Sequence, residues 1–285
     1  MELPADSHVH SEWSWDTGGP FSSAAGRMRD TCLRAVKIGL PAIFFTEHLD
    51  IPNSWRAEPE DLMPHQQDFL NDAGRVDFAP FDADGYFESI DRMRHEFPNL
   101  RIHTGVEFGQ PHLFESQARE LVDFSLIDRV LGSLHTIDLG AGRAEPSTLF
   151  REHGPDVVMN AYLEQIPVMV NGSDVFEIFA HIDYAIRLWP SDVVGPFDPK
   201  PFEEGFRNAL GSIAEGGRAL EMNTRRLWPW IPQWWAEEGG LTVSFGSDAH
   251  TPDAIAGNFP EAAAMLEHYG FRPGTTADAL WSRGR

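Results

Sequence analysis

Short apolar runs, each about as long as a strand, recur along the chain and close on polar residues. Seven of them read as β-strands: "LPADSHVH", "PAIFFTEH", "LRIHTGVEFG", "RVLGSLHTID", "VFEIFAHID", "RALEMNT" and "LTVSFGSDAH". β-branched, Leu and Phe residues dominate them, and Gly, Pro or Asn often bounds them. Between most of these runs, apolar residues fall at helical spacing, as in "SSAAGRMRDTCLRAVKIGL", "ADGYFESIDRMRHEF", "HLFESQARELVDFS", "PDVVMNAYLEQIPVMV", "PFEEGFRNALGSIAEGG" and "IPQWWAEEGG". Alternating β and α units of this size predict an α/β fold whose parallel sheet is joined by right-handed crossovers. No linker or compositional break interrupts residues 1–285, which predicts a single domain. The longest irregular stretch, about residues 50–83, holds Pro, Asp and Asn and reads as an insertion over one face.

The polar residues that close the runs are His8 and His10, Glu47 and His48, His103 and Glu107, His135, His181, Glu221 and Asn223, then Asp248 and His250. If the sheet curls shut, they meet at one mouth, where the C-terminal strand ends of β/α barrels gather functional groups. His8 with His10, and Asp248 with His250, are two residues apart, so each pair points to one side of its strand. Asp6 shares the side of the first pair and could orient an imidazole, while Gly246 and Ser247 leave room beside the last pair. Taken singly, a histidine after an apolar run reads as a satisfied core residue. Taken together, and without sulfur, the set reads as ligands for Zn²⁺, Mn²⁺ or Fe. Proximity of strand ends draws three groups: His8, His10, Glu107 and Asp248; Glu107, His135 and His181; and Asp16, His48 and His250. Two cations sharing a carboxylate usually lie ~3.5–4 Å apart and can hold a bridging hydroxide.

Composition narrows the classes. Across 285 residues, a hydrophobic fraction of 42% with 20 Phe, 9 Trp and 4 Tyr can fill a sizeable core, which argues against disorder. A formal charge of −22, from 44 acidic against 22 basic residues, repels phosphate backbones and argues against a nucleic-acid partner. It also asks how an anionic substrate is held, and bound cations answer that. The single cysteine, Cys32, excludes an internal disulfide or thiolate cluster and reads as a buried thiol on a helix. No apolar run approaches ~18 residues and the start lacks a signal-peptide pattern, so no membrane span and a cytoplasmic location are expected.

The ordered motifs "DSHVH", "TEH", "GVEFG", "GSLH", "AHID" and "GSDAH" resemble those of the PHP (polymerase and histidinol phosphatase) superfamily, from residue 6 to about 260. "EMNT" ahead of "SFGSDAHTP", with the chain length, is closest to the histidinol-phosphate phosphatase branch. The resemblance implies a distorted seven-stranded (β/α) barrel, TIM-barrel-like, with a trinuclear site for two to three divalent ions (Zn, Mn or Fe). Carried over by motif, the ligands are His8, His10, His48, Glu107, His135, His181, Asp248 and His250. Many relatives have a histidine in the loop after the first strand; this chain has "SEWSWDTG", and Asp16 is assigned that role, with Glu12 the other loop carboxylate.

The implied activity is hydrolysis of a phosphate monoester, L-histidinol phosphate to L-histidinol and phosphate in histidine biosynthesis. A metal-bridging hydroxide would attack phosphorus, so no protein nucleophile is assigned. Arg225 is the candidate phosphate clamp, with Arg226 and Arg187 behind it; a solvated or salt-bridged arginine reads equally well for each. Trp13, Trp15, Trp228 and Trp230 either stack on substrate or cover the core. Glu47, His103 and metal-bound water are the general-acid candidates. His65, His95, His112, His153 and His268 read as solvated or structural. Two other readings stand beside this one. The first is a hydrolase of another phosphoester, nucleotide or C–N bond on the same site. The second is a noncatalytic metal-binding module, against which a complete ligand set argues.

Overall fold

Seven parallel strands curl around a shared interior, and an eighth runs against them. The computed structural model describes residues 3–22 and 27–284. Its strands are β1 (Asp6–Val9), β2 (Ala42–Leu49), β3 (Arg101–Gly109), β4 (Arg129–Ser133), β5 (Ile137–Asp138), β6 (Arg143–Ala144), β7 (Ile178–Phe179), β8 (Ala219–Asn223), β9 (Thr242–Gly246) and β10 (Trp281–Ser282). The main sheet has the order β1-β2-β3-β4-β7-β8-β9-β10, while β5 and β6 pair as a separate hairpin. Every pair from β1 to β9 in that sheet is parallel; β10 joins β9 antiparallel. β2 is buried almost end to end, as expected of a strand covered on both faces.

The seam between β1 and β9 explains the distortion. At the upper end the two strands meet: the Asp248 amide donates to His8 O at 2.8 Å and the His10 amide to Ala249 O at 2.9 Å. At the lower end the C-terminal segment wedges between them, with β10 on β9 and the Ala5 amide donating to Ala277 O at 3.1 Å. Asp6 is spent on this seam, accepting from the amides of Ser247 at 3.0 Å and Ala256 at 2.8 Å, so it does not orient an imidazole as expected. The additional strand escapes sequence reading because two residues leave no alternation to detect.

Ten α-helices are assigned among the described residues: α1 (Met28–Ile38), α2 (Ala83–Glu96), α3 (Pro111–Leu121), α4 (Pro146–Glu152), α5 (Pro155–Gly172), α6 (Tyr184–Arg187), α7 (Ser191–Val194), α8 (Glu203–Glu215), α9 (Trp230–Glu237) and α10 (Phe259–His268). The expected start of the first helix includes residues 23–26, which lie outside the described residues. Glu12 caps this helix, accepting from the Met28 amide at 2.5 Å, and is thereby withdrawn from any ligand role. In α1, Met28, Thr31, Cys32 and Ala35 form the buried stripe, three to four residues apart. Residues 50–83 do form an irregular insertion, with its own apolar cluster of Trp55, Ala57, Val76 and Phe78 against Trp15. None of the described helices is long and apolar enough to cross a membrane.

Cys32 is fully buried, and burial pushes its thiol up to about 12. The native protein should therefore resist a thiol-reactive dye at pH 8 and react with one equivalent only on unfolding. Rapid labelling of the folded chain would contradict this packing.

Candidate metal centre

β1 carries His8 within the strand and His10 just beyond it, and their Nε2 atoms face each other at 3.0 Å. Each ring is held from behind. His8 Nδ1 lies 2.6 Å from Glu221 Oε1, and Glu221 also accepts from Asn223 Nδ2 at 3.2 Å and from the His181 amide at 2.7 Å. His10 Nδ1 donates to Ser14 Oγ at 3.0 Å, since that hydroxyl gives its own proton to Glu47 Oε2 at 2.6 Å. With both Nδ1 atoms committed, Nε2 is the atom each ring turns to the cluster.

Glu107 on β3 divides its oxygens between two groups of imidazoles. Oε1 meets His181 Nε2 at 2.5 Å and His135 Nε2 at 3.1 Å. Oε2 meets His8 Nε2 at 3.2 Å, His10 Nε2 at 3.3 Å and His48 Nδ1 at 3.1 Å. Asp248 Oδ1 stands 3.8 Å and 3.6 Å from the Nε2 atoms of His8 and His10. At the rim, Asp16 Oδ2 lies 2.7 Å from His250 Nε2 and 3.6 Å from His48 Nε2. His10 is the link between these groups, its ring centroid 4.3 Å from that of His48 and 4.2 Å from that of His250. All nine residues expected as ligands thus come together. The compact donor triads, however, are His8–His10–Asp248, His8–Glu107–His181, His48–Glu107–His135 and His10–His48–His250, so His135 and His181 divide between two triads and His8, His10 and His48 each border two.

The electrostatics of the cluster call for positive charge. Burial would raise the carboxyls of Asp16, Glu107 and Asp248, yet the facing imidazoles, with Arg187 beside Asp248, outweigh it and hold all three well below the usual carboxylate range. Burial likewise disfavours protonated His8, His48 and His135. The carboxylates overcome that too, raising His8 and His135 well above the usual value and His48 to about 9. His10 moves the other way, lowered by burial and by His250 and His48. At 3.0 Å, at most one proton fits between the Nε2 atoms of His8 and His10. Among the described residues, Asp16 Oδ1 and His181 Nδ1 are buried without a hydrogen-bond partner. A nitrogen and oxygen donor set with surplus negative charge and unsatisfied atoms suits divalent cations. Asp248 and His181 also hold backbone φ angles of 52° and 21°, a costly conformation outside glycine that surrounding structure must impose.

A cavity of about 460 Å³ opens over the cluster. Arg225 lines it from the rim, its side chain 60% exposed and 3.8 Å from Asp248 Oδ2; Arg187 is half-buried and closer, with Nη1 at 2.5 Å from the same oxygen. Arg226 instead lies over the Trp228 ring at 5.5 Å. Of the tryptophans singled out, Trp15 lines the cavity, whereas Trp228 and Trp230 pack among Phe197, Phe206 and Trp234. Glu47 sits behind Ser14, away from the cavity, and burial pushes its carboxyl up to about 7. His103 lies near the opposite end of β3, stacked on Phe44 and 3.2 Å from Asp278, so it is no general acid. His65, expected to be solvated or structural, lies in the cavity wall with Nε2 2.7 Å from Asp16 O.

Sequence reading missed Asp50, which holds His135 Nδ1 at 3.4 Å and Trp15 Nε1 at 2.9 Å. Its signal was available, two residues past His48 in "TEHLD". Nothing in the sequence ties Glu221 to His8, because 213 residues separate them. Glycines make both contacts possible: a Cβ on Gly109 would overlap Asp50 Oδ1, and one on Gly246 would overlap Glu221 Oε1.

The PHP domain model matches residues 6–225 of this chain. A protein of Clostridium acetobutylicum named "Probable histidinol-phosphatase" is 26% identical over 279 residues, covering 94% of each chain. One of the same name from Deinococcus radiodurans is 25% identical over 282 residues, again 94% of each. The fold is also similar to the crystal structure of histidinol phosphate phosphatase from Lactococcus lactis subsp. lactis complexed with zinc, L-histidinol and phosphate. There the TM-score is 0.74 at 23% identity, over 95% of each chain.

Proposed function

The chain belongs to the PHP family, and on that premise we propose that it is a metal-dependent phosphatase that hydrolyses L-histidinol phosphate to L-histidinol and phosphate. The observation that carries the reading is Glu107, whose two oxygens face separate groups of imidazoles, as a carboxylate shared by two cations must. We assign His8, His10, Glu107 and Asp248 to one ion, Glu107, His135 and His181 to a second, and Asp16, His48 and His250 to a third. The ions are two to three in number, of zinc, manganese or iron. When bound, they supply Lewis acidity at the phosphoryl oxygens and lower the pKa of the attacking water.

The protein's own groups orient and bind. Glu221 and Ser14 fix the rings of His8 and His10. Arg187 and Arg225 approach Asp248 Oδ2 from two sides and offer guanidinium donors to a phosphate at the cluster. Arg225 is free to close on a substrate because its side chain is largely exposed. We read residues 1–285 as one catalytic unit, and the −22 charge as unfavourable to nucleic acid.

Metal quantification of the purified protein, followed by phosphate release from a panel of esters, tests this. Two to three ions per chain are expected, with kcat/KM for L-histidinol phosphate at least ~10-fold above nucleotides and sugar phosphates. Equal rates across the panel would reduce the reading to a general PHP phosphoesterase, and metal-independent turnover would remove it.

A further inference from the structure

The carboxylates of the cavity wall are Asp16, Asp50, Asp61, Glu107, Glu145 and Asp248. Most are committed. Asp16 and Glu107 face imidazoles, and Asp50 holds His135 and Trp15. Asp61 accepts from Arg151 Nη1 and Thr148 Oγ1, both at 2.6 Å, and Asp248 accepts from Arg187. Glu145 differs. It precedes α4 at the capping position, yet its side chain makes no capping hydrogen bond. Its one hydrogen bond among the described residues comes from Tyr184 Oη at 3.2 Å, and it makes no ion pair there. Burial with so little compensation pushes its carboxyl up to about 7.

Tyr184 also places Glu145 relative to the chemistry. The tyrosine ring stands 5.0 Å from that of His135 and 5.2 Å from that of His181, and its hydroxyl reaches Glu145. Glu145 is therefore about one aromatic ring removed from the donor cluster. A phosphate at the cluster leaves a substituent on the carbon chain of its alcohol, rather than the ester oxygen, to meet this carboxylate. A charge left unpaired in a partly desolvated wall is costly until an opposite charge arrives, which makes such a group selective.

We propose that Glu145 is the specificity-determining residue of the cavity and binds a protonated primary amine on the alcohol of the phosphate monoester. Building on the phosphatase reading, this narrows the substrates to amino-alcohol phosphates. A primary amine is preferred over an imidazole because it is fully charged at neutral pH, where an imidazole is largely neutral.

The test is a ratio measured within one protein, which cancels any general loss of metal or fold. O-phosphoethanolamine is compared with ethyl phosphate, and L-histidinol phosphate with 3-(imidazol-4-yl)propyl phosphate, which lacks only the amine. The wild type should favour the amine-bearing ester of each pair by on the order of 10- to 100-fold in kcat/KM, and Glu145→Gln should shrink that ratio to about twofold. An unchanged ratio in the variant overturns the proposal, including the case where both esters slow together because Glu145 serves as an acid. Should the variant be inert, direct binding of 3-aminopropylphosphonate and propylphosphonate to the wild type and to Glu145→Gln decides. Loss of the amine preference in the variant supports the proposal, and equal Kd values in the wild type or a preference kept by the variant sink it. An amine preference without turnover of L-histidinol phosphate would sink the assigned substrate and leave the Glu145 assignment standing.

Discussion

Glu107→Gln should abolish phosphate release, by on the order of 10³-fold or more in kcat, and should lower bound metal by at least one ion per chain. The amide keeps the size of the side chain but turns one of its acceptors into a donor. Whichever end the NH₂ takes, it points N–H groups at imidazole nitrogens that now face a carboxylate oxygen: His135 and His181 at Oε1, or His8, His10 and His48 at Oε2. Ser133 Oγ, which donates to Oε1 at 2.6 Å, would meet a donor in one orientation as well. The substitution also removes a buried negative charge that the surrounding imidazoles balance. Elemental analysis, initial rates and circular dichroism separate loss of metal from loss of fold. A well-folded variant with full metal and wild-type rates would refute the shared-ligand role.

The second large effect is expected at a residue that has no side chain of its own. Gly246 ends β9, opposite Asn223 of β8, and a Cβ there would overlap Glu221 Oε1 and come within 2.7 Å of His8 Cβ. Gly246→Ala must push Glu221 off His8 Nδ1 or push His8 out of the cluster. Loss of such an outer partner typically costs 10- to 100-fold in metal affinity or activity, so a fall of about 10²-fold in both is expected. Overpacking of this kind also costs about 1–3 kcal/mol, readable as a lowered Tm. Zinc titration of the metal-free variant measures the affinity directly, and wild-type affinity with an unchanged Tm would show that Glu221 does not hold His8 in place.

Both predictions rest on contacts that differ in how far they can be read from the chain. His8 with His10, and Asp248 with His250, announce themselves because residues two apart on an extended backbone share a side. The long apolar runs of β2 and β3 are visible for the same local reason, and burial on both faces makes them nearly continuous. β7 is legible through the apolar run "VFEIFAHID" although only Ile178–Phe179 pair as strand, whereas β10, with two residues, has no period to recognise. His103 was misplaced because a strand's sequence does not say which of its ends carries function, and this residue sits near the start of β3. Glu145 went unnoticed since nothing local distinguishes a carboxylate before a proline-led helix from an ordinary cap.

That ligand-type residues stand at strand ends was already determined by the order of amino acids, because alternation and polarity are properties of neighbours along the backbone. Which ligand atoms face one another, that Glu221 rather than Asp6 steadies His8, and that Glu145 alone among the wall carboxylates of the described residues lacks a charged partner were decided only when the sheet closed at the β1–β9 seam. Those contacts join residues far apart in sequence, and their distances depend on strand register and curl, which no local pattern encodes.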